Sequence, residues 1–206
     1  MSMNKKQLQS EQTKKRVADA ARALFSQKGY AATSIEDIVA ATGSSKGNIY
    51  YHFQSKEGLF LYLLEEWSRE WESQWLEQEK NYVTFEEKLN GYAEHLDAND
   101  LNHPLTKAMD EFFSSEWGRS EVQEEVSRYY AEHLQFNERI LKEAMDSGEL
   151  NPDDARMLSF ILEGLFIGIG EISKRAPIHE STLAIYRKAV SVFLRGTTAA
   201  NPQNEH

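Results

Sequence analysis

The chain has no cysteine and no long uninterrupted apolar run. Without cysteine it can hold no disulfide, no thiolate nucleophile and no cysteine-ligated metal. The most apolar stretch, "MLSFILEGLFIGIGEI", is shorter than the roughly 20 residues that span a bilayer, and it contains Glu163 and Glu171. The first sixteen residues are basic and polar, without the apolar segment of a signal peptide. We therefore expect a cytoplasmic protein with no membrane partner.

Local motifs of common enzyme sites are also missing. The sequence contains no glycine-rich phosphate-binding loop and no H-E-x-x-H pair. His95, His103 and His133 are far apart in sequence and could meet only in the fold. Each is more often a hydrogen-bonded polar residue than a metal ligand. We therefore expect no catalytic site, no metal and no cofactor.

Charge is divided unevenly along the chain. Residues 1–58 carry nine Lys and Arg against five Asp and Glu, a net charge of +4. Residues 59–206 carry fourteen against twenty-eight, a net charge of −14. A basic segment on an otherwise acidic protein favours contact with a polyanion at one end of the chain. An ordinary solvated face is the alternative that charge alone leaves open.

Helical patterns fill the sequence, and no stretch shows persuasive strand alternation, so we predict an all-α fold. Apolar residues at helical spacing predict a first helix over 11–27, which ends before Gly29. The letters "TSIE" predict a capping box between Thr33 and Glu36 at the start of a second helix.

The second and third predicted helices have the spacing of a helix-turn-helix unit. Gly43 marks the turn, Ser44 or Ser45 caps the third helix, and Ile49 is its core anchor. In such a unit Lys46 can donate to guanine O6 and N7 in the major groove, and Asn48 can bond a base edge. A packed helical hairpin that binds no specific DNA, within a helical interaction module, is the alternative.

Residues 14–64 resemble the DNA-binding domain of TetR-family transcriptional repressors. The pattern "A..LF...GY..T....I....G.SKG..Y.HF.SKE.L" occurs here in order and without a gap. The resemblance implies a three-helix DNA-binding domain over 1–55 and a helical ligand-binding and dimerisation domain over 56–196. Residues 197–206 are predicted to be a disordered tail. By position, the residues expected to contact double-stranded DNA are Thr33, Ser44, Ser45, Lys46, Gly47, Asn48, Tyr50, Tyr51, His52 and Lys56.

The last two predicted helices are candidates for self-association. Asn151 is predicted to cap the eighth helix with Pro152 at its first position. Two glycines among bulky apolar residues on this helix permit close helix approach, and the family resemblance implies a homodimer. Packing of the same glycines within one chain is the alternative. The predicted interface residues are Phe160, Gly164, Gly168, Tyr186, Val190 and Phe193.

The segments "EWESQW" and "HPLTKAMDEFF" and the pair Tyr129-Tyr130 resemble those of TetR-family repressors that sense quaternary-ammonium and other lipophilic cationic drugs. Aromatic faces attract a cation, and the Glu111 carboxylate can neutralise it in a partly buried cavity. A tryptophan stripe that only forms core is one alternative, and fatty-acyl or other apolar ligands are another. The predicted ligand residues are Trp67, Trp71, Trp75, Glu111, Phe112, Phe113, Tyr129, His133 and Phe166.

These expectations combine into one hypothesis. A homodimer binds a palindromic operator, and a small-molecule inducer releases it. Activation instead of repression is left open by the sequence, as are the operator, the inducer and the regulated genes.

Overall fold

The computed structural model describes residues 4–101, 103–116, 120–176 and 179–198, and every regular element within these residues is helical. No helix in this part of the chain is long and apolar enough to cross a membrane. The all-α prediction is confirmed. In chain order the elements are α1 (Lys5–Lys28), α2 (Ile35–Thr42), α3 (Lys46–Phe53), α4 (Lys56–Glu79), α5 (Phe85–Leu96), a π-helix (Asp97–Leu101), α6 (Thr106–Glu116), α7 (Ser120–Asp146), α8 (Ala155–Arg175) and α9 (Thr182–Thr197).

The described residues divide into two compact units. The N-terminal unit comprises residues 4–73 and 103–116, and therefore contains α1, α2, α3, α6 and most of α4. The C-terminal unit comprises residues 74–101, 120–176 and 179–198, with the end of α4, α5, the π-helix and α7 to α9. The predicted domains divide the chain differently, because α6 and most of α4 group here with the first three helices.

An aromatic core holds the N-terminal unit together. The Phe60 ring of α4 lies 4.9 Å from Phe25 of α1, between ring centroids. Phe112 of α6 lies 4.9 Å from both Phe60 and Tyr30. All four rings are nearly or fully buried, so they contribute large apolar areas to the stability of this unit. Phe112, predicted as a ligand residue, is therefore a core residue.

The start of α2 differs from its prediction by one residue. Ser34 Oγ accepts the Asp37 N–H at 3.1 Å, and Asp37 Oδ2 accepts the Ser34 N–H at 2.9 Å. The capping box is thus Ser34–Asp37, and the predicted pair Thr33–Glu36 was wrong. The Thr33 hydroxyl does not cap the helix because it donates instead to the Gly29 carbonyl, at 2.7 Å inside the unit.

Rings from five helices form a second cluster, in the C-terminal unit. The Tyr92 ring of α5 lies 5.2 Å from Trp75 of α4, 5.5 Å from Phe136 of α7 and 5.2 Å from Phe166 of α8. Phe166 also lies 5.6 Å from Tyr186 of α9. We call these five rings the C-terminal aromatic cluster, which packs the helices of this unit around one apolar centre.

The boundaries of α8 and α9 also correct the sequence analysis. Asp154 caps α8 by accepting the Met157 N–H at 3.0 Å, so Pro152 lies before the cap and not at the first helical position. Helix α9 ends at Thr197, and Thr198 pairs with Leu150 in an isolated bridge. The rest of the predicted disordered tail, residues 199–206, lies outside the described residues.

Candidate functional site

Helices α2 and α3 form a helix-turn-helix. Gly43 ends α2 with φ of 65° and ψ of 11°, in the left-handed region that glycine tolerates best. Ser45 Oγ accepts the Asn48 N–H at 3.2 Å and caps α3, and Ile49 is fully buried. The predicted cap and anchor are confirmed. The letters of residues 43–47 also match G-x-S-x-G, but a nucleophile elbow requires a strand before the serine, and here a helix precedes it.

One face of α3 is open to solvent and polar. The Tyr51 side chain is 78% exposed, and its hydroxyl can reach a partner outside the protein. Lys46 pairs with Glu36 of α2, and this hydrogen bond raises the pKa of Lys46 and lowers the pKa of Glu36. Lys46 is therefore a positive charge on this face at neutral pH. The predicted DNA-binding residues that are exposed are Ser45, Lys46, Gly47, Asn48, Tyr50 and Tyr51.

The remaining predicted DNA-binding residues are buried or half-buried, namely Thr33, Ser44, His52 and Lys56. Lys56 Nζ donates to the Tyr30 carbonyl at 2.9 Å and to the Thr33 carbonyl at 3.0 Å. Ser44 Oγ accepts from Arg16 Nη2 at 3.3 Å. These bonds connect α4 to the turn before α2, and α1 to the turn before α3. Thr33, Ser44 and Lys56 thus hold the motif together. Direct contact of these three residues and of His52 with DNA stays a prediction.

Glu111, the predicted partner of a cationic ligand, lies in the N-terminal unit. Its Oε2 accepts the Ala31 N–H at 3.1 Å. A Cβ built on Gly29 would lie only 2.5 Å from the same oxygen. The carboxylate therefore closes the turn between α1 and α2. The predicted role of Glu111 as the ligand counter-charge stays a prediction.

The predicted ligand residues are divided between the two units. Trp67 stacks on His103 with 3.9 Å between ring centroids and 12° between ring planes. Burial lowers the pKa of His103 to about 4, so this imidazole is neutral at pH 7. The N-terminal unit contains Trp67, Trp71, Glu111, Phe112 and Phe113, and the C-terminal unit contains Trp75, Tyr129, His133 and Phe166.

A buried carboxylate–amide pair, Glu163 and Asn137, lies in the C-terminal unit between α7 and α8. Glu163 is 7% exposed, and Asn137 is fully buried. Asn137 Nδ2 donates to Glu163 Oε2 at 2.8 Å, and His133 Nδ1 lies 3.4 Å from Glu163 Oε1. Phe166 follows Glu163 by about one helical turn and so lies on the same side of α8, and Phe136 directly precedes Asn137 on α7. Both rings belong to the C-terminal aromatic cluster.

This pair was not predicted as a site from the sequence. Glu163 served there only as evidence against a membrane segment, although a carboxylate within an apolar helical run is itself a signal. Burial of an ionised carboxylate is costly without hydrogen bonds or a counter-charge. A second signal was the spacing of Tyr130, His133 and Asn137, which places them along one face of α7. Burial, with the charge of Glu163, raises the pKa of Tyr130, so that face lies near the carboxylate.

The predicted dimer residues behave differently on the two last helices. On α8, Phe160 and Gly164 are exposed and Gly168 is half-buried. On α9, Tyr186, Val190 and Phe193 are nearly buried within their own protomer. The prediction that these three face a partner was wrong, because their apolar stripe packs into the C-terminal unit. Other exposed apolar residues on the two helices are Met157, Ile161, Ile167 and Ile172 of α8 and Val192 of α9.

Both parts of the chain match known protein families. Residues 17–63 match bacterial regulatory proteins of the tetR family, and residues 67–199 match the C-terminal region of QacR-like proteins. The HTH-type transcriptional regulator QacR of Staphylococcus aureus is 30% identical over 183 residues, which cover 89% of this chain and 97% of that protein.

Solved structures share the fold over nearly the whole chain. A TetR-family regulator from Cytophaga hutchinsonii has a TM-score of 0.79 and 18% identity, covering 98% of this chain and 100% of its own. A transcriptional regulator from Saccharomonospora viridis in complex with choline has a TM-score of 0.74 and 18% identity, covering 92% and 100%. The family models and the QacR relative show that this chain belongs to the TetR family of bacterial transcriptional regulators.

Proposed function

We propose that the protein is a dimeric repressor that leaves a palindromic operator when a lipophilic cation binds its C-terminal unit. The observation that supports the DNA-binding half is the exposed face of α3. Ser45 caps this helix and Ile49 anchors it, so its polar residues point to solvent from a rigid support. The major groove of B-DNA, about 12 Å wide, admits a helix presented in this way.

Lys46 and Asn48 are the proposed base-reading residues. To bond guanine O6 or N7, Lys46 must leave Glu36. That exchange costs little, because an exposed ion pair contributes only about 0 to 1 kcal/mol. The hydroxyls of Ser45, Tyr50 and Tyr51 can donate to phosphate oxygens and set the register of the helix on the duplex.

Selection of DNA sequences that the protein binds, followed by measurement of their affinity, tests the proposed DNA binding. DNA enriched by the purified protein is titrated by fluorescence anisotropy with wild type, Lys46→Ala and Lys80→Ala. Lys80 is the matched control, because it is an exposed lysine paired with an exposed glutamate, Glu77, as Lys46 is with Glu36.

We expect Lys46→Ala to weaken binding to the enriched DNA by roughly 5- to 150-fold, the range for one good base contact. Lys80→Ala should stay within about twofold of wild type, since surface changes away from a site have small effects. Unchanged affinity of Lys46→Ala for every enriched sequence would refute the assignment. The logarithm of the affinity should also fall with the logarithm of salt, by about 0.9 for each phosphate neutralised.

Dimerisation is proposed through the exposed face of α8. Phe160, Ile161 and Ile172 leave apolar surface open, and a Cβ at Gly164 or Gly168 would meet no atom within 4 Å. Two copies of such a face can pair about a two-fold axis. Each protomer would then present its α3 to successive major grooves about 34 to 36 Å apart on a palindromic site.

The proposed ligand is a lipophilic cation in the C-terminal unit. Glu163 supplies a buried negative charge beside aromatic rings, and both features attract a cation. The similarly folded regulator from Saccharomonospora viridis is described in complex with choline, a small organic cation. A ligand that binds better to the DNA-free state shifts the dimer away from its operator. A coupling of about 1 to 3 kcal/mol would weaken DNA binding by roughly 5- to 150-fold.

Titration with tetraphenylphosphonium, a lipophilic cation with no hydrogen to donate, tests the ligand class. Tryptophan quenching is followed with and without enriched DNA. We expect saturable quenching that DNA weakens, because coupling between two sites is reciprocal. Glu163→Gln should reduce the affinity, whereas Glu171→Gln, a partly exposed charge on the same helix, should not. If the protein binds DNA but shows no quenching, the assignment as a DNA-binding regulator stands, and the hypothesis of a cationic ligand is rejected in favour of an apolar ligand.

A further inference from the structure

Asn137 presents an unpaired hydrogen-bond acceptor next to Glu163. Its Nδ2 donates to Glu163 Oε2 at 2.8 Å. An ionised carboxylate only accepts, so the amide nitrogen, not the oxygen, must face Glu163. The Oδ1 atom is bonded to the same carbon as Nδ2 and lies at the same place between α7 and α8. It is buried and has no hydrogen-bond partner within the described part of the chain.

Glu163 has fewer hydrogen-bond donors and less positive charge around it than a buried carboxylate normally has. A buried carboxylate normally needs several donors or a cation. Among the described residues Glu163 receives one N–H, from Asn137, and its ion-pair contact is His133 Nδ1 at 3.4 Å, with no lysine or arginine. Two acceptor groups, one of them negative, therefore lie side by side in a largely apolar environment.

The surroundings of the pair suit an organic cation. Phe136 and Phe166 of the C-terminal aromatic cluster are its neighbours along α7 and α8. The Tyr129 ring lies 4.3 Å from the His133 ring on the same helix. Tyr130 is 42% exposed, and the charge of Glu163 contributes to its raised pKa, after burial. Tyr130 and the pair therefore lie on the same side of α7.

We propose that Glu163 and Asn137 form a subsite for a cation that carries N–H donors, such as a protonated amine or an amidine. One N–H of the ligand would donate to the Glu163 carboxylate and another to Asn137 Oδ1. The ligand thus supplies the counter-charge for Glu163 and the hydrogen-bond donor for Oδ1. A quaternary ammonium supplies the charge alone and leaves Oδ1 unpaired. The inference rests on the proposed cationic ligand and specifies its chemistry.

Two probes with the same charge, one with N–H donors and one with methyl groups in their place, test the subsite. (1-Naphthylmethyl)ammonium and (1-naphthylmethyl)trimethylammonium share one ring system and one positive charge at pH 7. Their affinities for the full-length protein are measured by isothermal titration calorimetry. Wild type should bind the primary ammonium about 10- to 100-fold more tightly, because an unpaired buried acceptor is penalised by that order.

Three variants separate the donors from charge and size. Asn137→Leu keeps the branched shape of the side chain but removes both the Oδ1 acceptor and the Nδ2 donor to Glu163. It should erase the preference for the primary ammonium and leave the trimethyl probe within about threefold of wild type. Glu163→Gln should weaken both probes, and Glu171→Gln should weaken neither. Circular dichroism checks that each variant is folded, and the comparison of the two probes on wild type stands if Asn137→Leu does not fold.

The outcomes separate the subsite from the proposed function. Equal affinity of wild type for the two probes, or an unchanged preference in Asn137→Leu, overturns the subsite while the cationic ligand stands. Binding of neither probe, together with no response to tetraphenylphosphonium, overturns both. A preference that disappears in Asn137→Leu supports the subsite.

Discussion

Replacement of Gly29 by alanine should destabilise the N-terminal unit for two separable reasons. Gly29 has φ of 84° and ψ of 173°, a region that residues with a Cβ rarely adopt. Its new Cβ would also lie 2.5 and 2.6 Å from the two carboxylate oxygens of Glu111. Glu111 must then move, and its hydrogen bond to the Ala31 N–H is lost.

The expected cost follows from these two terms. The backbone conformation costs about 1 to 3 kcal/mol for a residue other than glycine. The lost hydrogen bond adds about 0.5 to 1.5 kcal/mol. We therefore expect Gly29→Ala to lower the free energy of unfolding by about 2 to 4 kcal/mol. Gly43→Ala is the control in the same unit, because Gly43 also has positive φ but its Cβ would meet no atom within 4 Å. It should cost only about 1 to 2 kcal/mol.

Urea unfolding followed by tryptophan fluorescence measures these changes, since Trp67 and Trp71 belong to the N-terminal unit. A double-mutant cycle with Glu111→Ala isolates the contact. Once Gly29→Ala has displaced the Glu111 carboxylate, the further change Glu111→Ala should cost little more. The double variant should therefore lose less free energy of unfolding than the sum of the two single losses. Simple additivity, or a loss at Gly29 no larger than at Gly43, would show that Glu111 does not hold this turn.

Three further predictions concern the core, the dimer and the pH response. Ile49→Ala should cost about 2 to 5 kcal/mol in urea unfolding, because it leaves a cavity under α3. Ile161→Glu should convert dimers to monomers in sedimentation, whereas Val83→Glu, at an apolar site 89% exposed in the protomer, should not. Burial lowers the pKa of His103 from 6.5 to about 4, so the unfolded chain takes up this proton first. The contribution of His103 to the free energy of unfolding should therefore be lost as pH drops from about 6.5 to 4 and should be constant above that window. His103→Phe can keep the ring stack on Trp67 but does not titrate. The loss of stability between pH 7 and pH 5, measured by thermal unfolding, should be smaller in this variant than in wild type, and an equal loss would contradict the prediction.

The helix-turn-helix was predictable because its determinants are local. A glycine at the turn, the Ser45 cap and the apolar anchor Ile49 act within a few residues of one another, and hydrogen bonds between near neighbours depend little on the rest of the fold. The capping box of α2 shows where local reasoning fails. Both Thr33 and Ser34 could cap the helix, and only the packed turn after α1 supplies the carbonyl that draws the Thr33 hydroxyl away.

Apolar stripes were less informative about partners. Phe160 of α8 and Val190 of α9 both belong to apolar stripes of the last two helices, yet one is exposed and the other is buried within the protomer. Periodicity shows that a helix has an apolar face, but not which neighbour covers it. The same limit applies to Glu111, whose place against Ala31 joins residues 80 positions apart.

Local patterns of the chain alone were therefore sufficient for the all-α class, the helix-turn-helix and the resemblance to its family. Only the packing of α7 against α8 brought Asn137 to Glu163, 26 residues away, and left Asn137 Oδ1 unpaired. Hydrogen bonds within a helix are set by neighbours in sequence, whereas the partners of a buried side chain are set by how helices rotate and cross when they pack. The proposed DNA-reading face thus follows from local sequence, and the candidate ligand site follows from the tertiary fold.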